Sequence, residues 1–210
     1  MTHFSSLEVL QAKLRRCRTC PKMIRPVVHG PPVMAQVYLV GQAPGDKEGP
    51  LGRPFAWTAG KTLFRWFRQA LKVDEQTVRD HVYFAAVARC FPGKAPKGGD
   101  RKPDEHEVEN CSRWMKSEVT LLRPTLVLPV GTMAIERVLG HSGQLKDVVG
   151  RLHQTMFFGQ QVDVIPLPHP SGASTWHITE PGKSLLISAL QIMAAHPTLI
   201  SLFLPHQISE

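Results

Sequence analysis

Cys17 and Cys20 lie three positions apart, while Cys90 and Cys111 each stand alone far along the chain. If these four thiols converge, three distant segments must meet at one point, and few folds satisfy that. Three readings of the set differ in what they demand. A four-iron cluster needs only thiolate ligands and tolerates one close pair with two singles. A four-thiolate zinc site is more often built from two close pairs. Buried free thiols demand nothing. Grouped cysteines point to metal in a reducing compartment, and the start Met1-Thr2-His3-Phe4-Ser5-Ser6 lacks the basic and apolar regions of a secretory leader. The expected location is cytoplasmic.

A chain of 210 residues is expected to form a single domain over residues 1–210, with a sizeable core. No uninterrupted apolar stretch is long enough for a bilayer, so a membrane role is not expected. The net charge of +8 is unevenly distributed. Residues 9–45 hold no Asp or Glu but carry Lys13, Arg15, Arg16, Arg18, Lys22 and Arg25. A second basic stretch holds Arg89, Lys94, Lys97, Arg101 and Lys102. Both flank cysteines, so converging cysteines would merge them into one positive face that binds a polyanion salt-dependently.

Leu7, Leu10, Leu14 and Cys17 recur at helical spacing, predicting an amphipathic helix over residues 6–16 that delivers Cys17 to the core. Apolar runs at Val37–Val40, Val82–Ala88, Thr125–Val130 and Val162–Leu167 predict strands. Between them fall a helix capped by Thr58 and running to about Leu71, a helix following Pro103, another after Gly131 and a last one over residues 183–195. Asp104, Glu105 and Glu107 suit the positive end of the helix dipole, and Val108, Cys111, Met115, Val119 and Leu122 share one face. The alternation gives an α/β fold, a central parallel sheet with helices on both faces. The apolar Ile200–Leu204 is expected to pack on the body.

Ligands of such sheets sit beyond the carboxyl ends of the strands. Three segments fall there: Gln42–Phe55, Ala86–Asp100 and His169-Pro170-Ser171. Gly60-Lys61-Thr62 is not a phosphate loop, because that motif's first glycine would fall at Phe55.

In these segments the chain resembles the uracil-DNA glycosylase superfamily, most closely its iron–sulfur branch, family 4. The resemblance rests on Gly41-Gln42-Ala43-Pro44-Gly45-Asp46-Lys47-Glu48, Gly52-Arg53-Pro54-Phe55, Ala59-Gly60, Arg89-Cys90, Asp100-Arg101-Lys102-Pro103 and His169-Pro170-Ser171, in that order over nearly the whole chain. It implies a three-layer α/β/α sandwich that flips a damaged base out of DNA and cleaves its glycosidic bond. It also implies a 4Fe-4S cluster held by Cys17, Cys20, Cys90 and Cys111. By the same resemblance Phe55 stacks on the base, His169 donates to the base carbonyl oxygen, Ser171 helps hold the DNA phosphate, and the backbone near Gln42 and Ala43 contacts the base. One copy suffices for base flipping, so a monomer is expected.

Two departures bear on chemistry. Gln42 stands where the branch carries a glutamate, and can orient a water but not act as a carboxylate base. Ala86 stands where many relatives carry an asparagine that reads the pyrimidine edge, so base discrimination should relax toward deaminated purines such as xanthine. The acid that positions water is then sought among Asp46, Glu48 and Asp100. No histidine occupies the position that traps DNA covalently in one type of relative, and no lysine stands out as an imine-forming nucleophile. Trp57 is expected more as core than as pocket wall. The alternative to a glycosylase is an inactive DNA-damage-binding protein of the same fold. The intact His169-Pro170-Ser171 favours the enzyme.

Overall fold

Strands buried on both faces need continuous apolar runs, and the central strands have them. The computed structural model describes residues 3–96, 98–172 and 174–204. Its sheet comprises β1 (Val37–Gly41), β2 (Val82–Ala86), β3 (Leu126–Pro129), β4 (His153–Phe157) and β5 (Gln160–Val164). Their spatial order is β2-β1-β3-β5-β4. The first four in that order run parallel. The outer strand β4 runs antiparallel to β5, so the expected parallel sheet acquires a hairpin edge. Phe158 and Gly159 both take positive φ (48° and 80°) and close that hairpin with the twist a two-residue loop favours. β5 therefore begins two residues before the apolar run suggests. Leu167 still pairs with Val130 by an isolated parallel bridge, extending the ladder toward His169.

The helices are α1 (His3–Arg15), α2 (Glu48–Leu51), α3 (Thr58–Leu71), α4 (Glu75–His81), α5 (Glu105–Leu122), α6 (Thr132–Leu139), α7 (Gly182–Ala195) and α8 (Pro197–Phe203). Alternate side chains of β1 divide the core. Val37 and Leu39 pack with Leu63 and Phe67 of α3, Val78 of α4, Leu190 of α7 and Phe203 of α8. Tyr38 and Val40 pack with Leu7 of α1, Met115 and Val119 of α5, and Val138 of α6. The result is three layers. Of the apolar segment Ile200–Leu204, Phe203 is fully buried together with the preceding Leu199, whereas Ile200 and Leu204 stay exposed, so only one face packs on the body. Among the described residues no single helix is long and apolar enough to cross a membrane.

Local chemistry explains the boundaries. Trp57, not Thr58, occupies the N-cap of α3, without a side-chain cap. Asp104 caps α5 in a reciprocal box with Glu107, a motif worth about 1 kcal/mol. The short α2 and α4 were not foreseen; α4 has Val78 as its one buried apolar side chain and starts from an Asp74 carboxylate that accepts from Thr77 N–H at 2.8 Å.

Arg89 departs from its expected place on a basic surface. It is 1 % exposed and pairs at 2.5 Å with the fully buried Glu118. Tyr38 and Tyr83 hydroxyls donate to the same carboxylate at 2.6 and 2.9 Å, and Arg89 Nε donates to the Ala86 carbonyl at 2.9 Å. Arg101 is likewise neutralised by Glu107 at 2.8 Å. Of the two stretches, the first keeps Lys13, Arg15, Arg16, Arg18 and Lys22 exposed, while the second keeps Lys102 and the ion-paired Lys94. Lys97 lies outside the described residues.

Candidate active site and cysteine cavity

β1 and β3 are neighbours whose onward connections leave in opposite directions, and a cleft of about 460 Å³ opens beyond their carboxyl ends. Gln42, Ala43, Asp46, Glu48, Phe55, Ala86, Asp100, His169 and Ser171 all line it. The three sequence segments thus meet. Trp57 also lines the cleft and is half exposed, so it forms wall rather than core.

Phe55 forms one face of the cleft. Its ring seats against β1 where only glycine fits: a Cβ at Gly41 would lie 2.9 Å from the ring. Its φ of 52° is left-handed, a strained value for a phenylalanine. The surrounding loop is stapled by Glu48, whose carboxylate accepts from Gly45 N–H at 2.8 Å and Ala56 N–H at 3.1 Å. Burial raises the Glu48 carboxyl above its ordinary range, although those amides oppose the shift.

His169 projects from the segment after β5, over Gly131. A Cβ at Gly131 would lie 3.2 Å from the imidazole, and its φ of 86° suits glycine. The Ser171 backbone N–H donates to His169 Nδ1 at 3.3 Å, with Ser171 Oγ 2.9 Å from the same nitrogen. Because Nδ1 accepts, the ring proton resides on Nε2. Burial, reinforced by His177, holds the His169 pKa below its ordinary value and keeps the ring neutral. His177 sits edge-on to Trp66 with ring centres 5.4 Å apart.

Asp46 and Asp100 come from different loops and share one cation. Lys94 Nζ lies 2.7 Å from Asp100 and 3.5 Å from Asp46. The hydrogen bond to Asp100 raises the Lys94 pKa and keeps the amine protonated. Lys94 and Arg79, described below, carry no motif that marks them in sequence.

All four cysteines line a second cavity of about 200 Å³. Ala43, at the cleft, packs against the Met23, Ala88 and Cys111 cluster beside it, so the two cavities share a wall. Donors face the sulfurs: Asn110 Nδ2 donates to Cys20 Sγ at 3.6 Å and Arg113 to Cys17 Sγ at 3.7 Å. Burial raises the Cys17 thiol, but hydrogen bonds from Thr19 and Arg113 outweigh it and leave the pKa low. Burial and the neighbouring Cys111 push Cys90 up to about 11. Among the described residues no three such side chains close around a single ion. Arg89 Nη1 is buried beside this cavity with no partner. A four-thiolate donor set, amide and guanidinium donors aimed at it, and a roomy cavity together fit a sulfur-ligated cluster.

The family model described as the uracil DNA glycosylase superfamily matches residues 27–191, which take in Cys90, Cys111 and the whole cleft but not Cys17 and Cys20. The chain is similar to the type-4 uracil-DNA glycosylase of Pyrobaculum aerophilum, 29% identical over 172 residues (79% of this chain, 83% of that protein). Similar too are the type-4 uracil-DNA glycosylases of Sulfurisphaera tokodaii, 26% identical over 176 residues (80% and 76%), and Archaeoglobus fulgidus, 26% over 173 residues (79% and 82%).

Proposed function

Because the chain belongs to the uracil-DNA glycosylase superfamily, we propose that it hydrolyses the N-glycosidic bond of uracil in DNA and leaves an abasic site. The observation that carries this reading is the His169 tautomer. A neutral imidazole fixed by Ser171 at Nδ1 presents Nε2–H to the cleft, where the carbonyl oxygen of a base stacked on Phe55 gathers negative charge. The bond from the sugar C1′ to the base nitrogen breaks and its electron pair goes to the base. Water oxygen bonds to C1′, and its proton passes to a carboxylate. Asp46 and Asp100 are the carboxylates we assign to that water, because Glu48 spends both oxygens on the loop. Gln42 orients the water, and Ser171 acts first by fixing His169.

We assign a monofunctional enzyme: Lys94 remains protonated between two carboxylates, so it is not poised as an imine-forming nucleophile. Ala86 contributes no hydrogen bond to a base edge, so the cleft also admits deaminated purines such as xanthine. The basic segment around Arg15, Arg16, Arg18 and Lys22 faces the DNA backbone, and a single copy acts.

Cys17, Cys20, Cys90 and Cys111 would hold a 4Fe-4S cluster. One close pair with two distant single cysteines suits such a cluster, whereas a four-thiolate zinc site is more often built from two close pairs. When bound, the cluster would supply a covalent tie between the segment after α1, the segment after β2, and α5, with no part in glycosidic cleavage.

The test is excision by anaerobically purified protein from oligonucleotides carrying uracil, xanthine, hypoxanthine or intact bases, with alkali cleavage reporting abasic sites. Uracil release, lost in His169→Ala while the brown chromophore persists, is expected. Full excision by His169→Ala would sink the assignment. No excision by cluster-loaded protein that still binds DNA would favour a damage-binding protein.

A further inference from the structure

Phe55 has to be held in a conformation its own backbone disfavours. A non-glycine residue at φ 52° is disfavoured by its own Cβ, so surrounding contacts must over-determine it. They converge on its carbonyl. The Cα of Gly60 sits so near that an added Cβ would lie 1.8 Å from Phe55 O, which fixes the carbonyl over the start of α3. On the other side is Arg79 of α4. Its Nη1 donates to Pro54 O and its Nη2 to Phe55 O, both at 3.0 Å. Two consecutive carbonyls thus receive the two prongs of one guanidinium.

Arg79 is itself immobilised. It is 5 % exposed, and its Nε donates to Glu75 at 2.8 Å. Its guanidinium lies over the Phe64 ring at 4.6 Å and the Phe84 ring at 5.4 Å. Phe55 packs edge-on against the same Phe84, with ring centres 6.3 Å apart. A buried arginine would ordinarily give its fork to a carboxylate. Here the carboxylate takes only Nε, and the fork is spent on the two peptide units that flank Phe55.

We propose that Arg79 is a positioning residue for the substrate base, acting through Phe55: it clamps the Pro54 and Phe55 carbonyls so that the ring faces the cleft before DNA arrives. This rests on the reading of Phe55 as the stacking face. Without the clamp the strained backbone on either side of the ring is held less firmly, and part of the stacking is lost to ordering it. Lysine would keep the charge but not the planar fork, so Arg79→Lys should behave as a loss.

The experiment is a double-mutant cycle between Arg79→Met and Phe55→Ala. It reads single-turnover excision of uracil, the dissociation constant for free uracil as product, and the unfolding midpoint. Phe55→Ala should cost about tenfold in excision and product binding, as base–aromatic stacks do. Arg79→Met should cost a similar factor. The double variant should be no worse than Phe55→Ala in excision or product binding, while its unfolding midpoint falls further. Arg79→Lys supplies the comparison if Arg79→Met does not fold. Wild-type excision by Phe55→Ala would remove the stacking reading itself. An impaired Phe55→Ala beside an Arg79 variant that only loses stability, or losses that multiply in the double variant, would overturn the role of Arg79 alone.

Discussion

Replacing Arg89 with methionine tests how the sheet is tied to the cysteine-bearing helix. The side chain volume is roughly kept, but Glu118 remains fully buried with only the Tyr38 and Tyr83 hydroxyls to face it. Removing one partner of a buried ion pair costs about 3–5 kcal/mol, and the Ala86 carbonyl loses its Arg89 Nε donor, worth about 1 kcal/mol. A total of about 5 kcal/mol is a large share of the roughly 5–15 kcal/mol a domain commands. With a urea slope of about 2 kcal/mol per molar, the midpoint should fall by about 2.5 M. Glu118→Gln should cost a comparable amount, because it strands the guanidinium. The double variant should cost about 2 kcal/mol or more less than the sum, since neither charge is then left alone. Urea unfolding followed by circular dichroism at neutral pH, on protein of equal cluster content, reads all three. Single variants within about 1 kcal/mol of wild type, or a double variant equal to the sum, would refute the reasoning.

Three further outcomes are expected. His29, His169 and His177 are all held below their ordinary pKa by burial, so they are neutral in the fold and charge in the unfolded chain near pH 6.5. Their contribution is complete above that value and is lost as pH falls toward the folded pKa values; the urea midpoint should drop between pH 7 and 5, less steeply in His169→Asn, and an equal slope would contradict this. Ala86→Asn should retain uracil excision and cut release of deaminated purines tenfold or more, read on the same oligonucleotide panel, because a hydrogen-bonding site rejects misfits that an enclosing one accepts. Cys17→Ala should lose the visible chromophore and weaken salt-dependent DNA binding together; an unchanged spectrum would take Cys17 out of the ligand set.

What could be read in advance follows from which forces act locally. The strands at Val37, Val82 and Leu126 are apolar through and through because helices cover both faces, so their sequence announces them. The edge strand His153–Phe157 alternates between half-buried and exposed positions with little apolar content, and its pairing is decided by the Phe158–Gly159 turn. The Gln42–Glu48 and His169–Ser171 segments were legible because their chemistry is consecutive in the chain. Arg79 was not: its partners lie about two dozen residues away, on a seven-residue helix with one buried apolar side chain. Arg89 looked like surface charge because its neutralising Glu118 lies 29 residues on. The half-exposed Trp57 shows the converse, an aromatic whose neighbours suggested core but whose place at the mouth of α3 turns it to the cleft.

The ladder does not stop where the strands do. Val87 N–H and Ala88 N–H donate to the carbonyls of Gly41 and Gln42 at 2.9 Å each, and Gly131 N–H donates to Leu167 O at 2.9 Å. Main chain therefore braces main chain on the very floor where the base would rest. Positions 42 and 86 contribute side chains to that floor without being asked to hold it up. Lesion preference can consequently drift by single substitutions there while the scaffold keeps its melting behaviour. A library restricted to small side chains at those two positions, since Ala86 is only 7 % exposed, should express evenly and differ chiefly in which bases it releases.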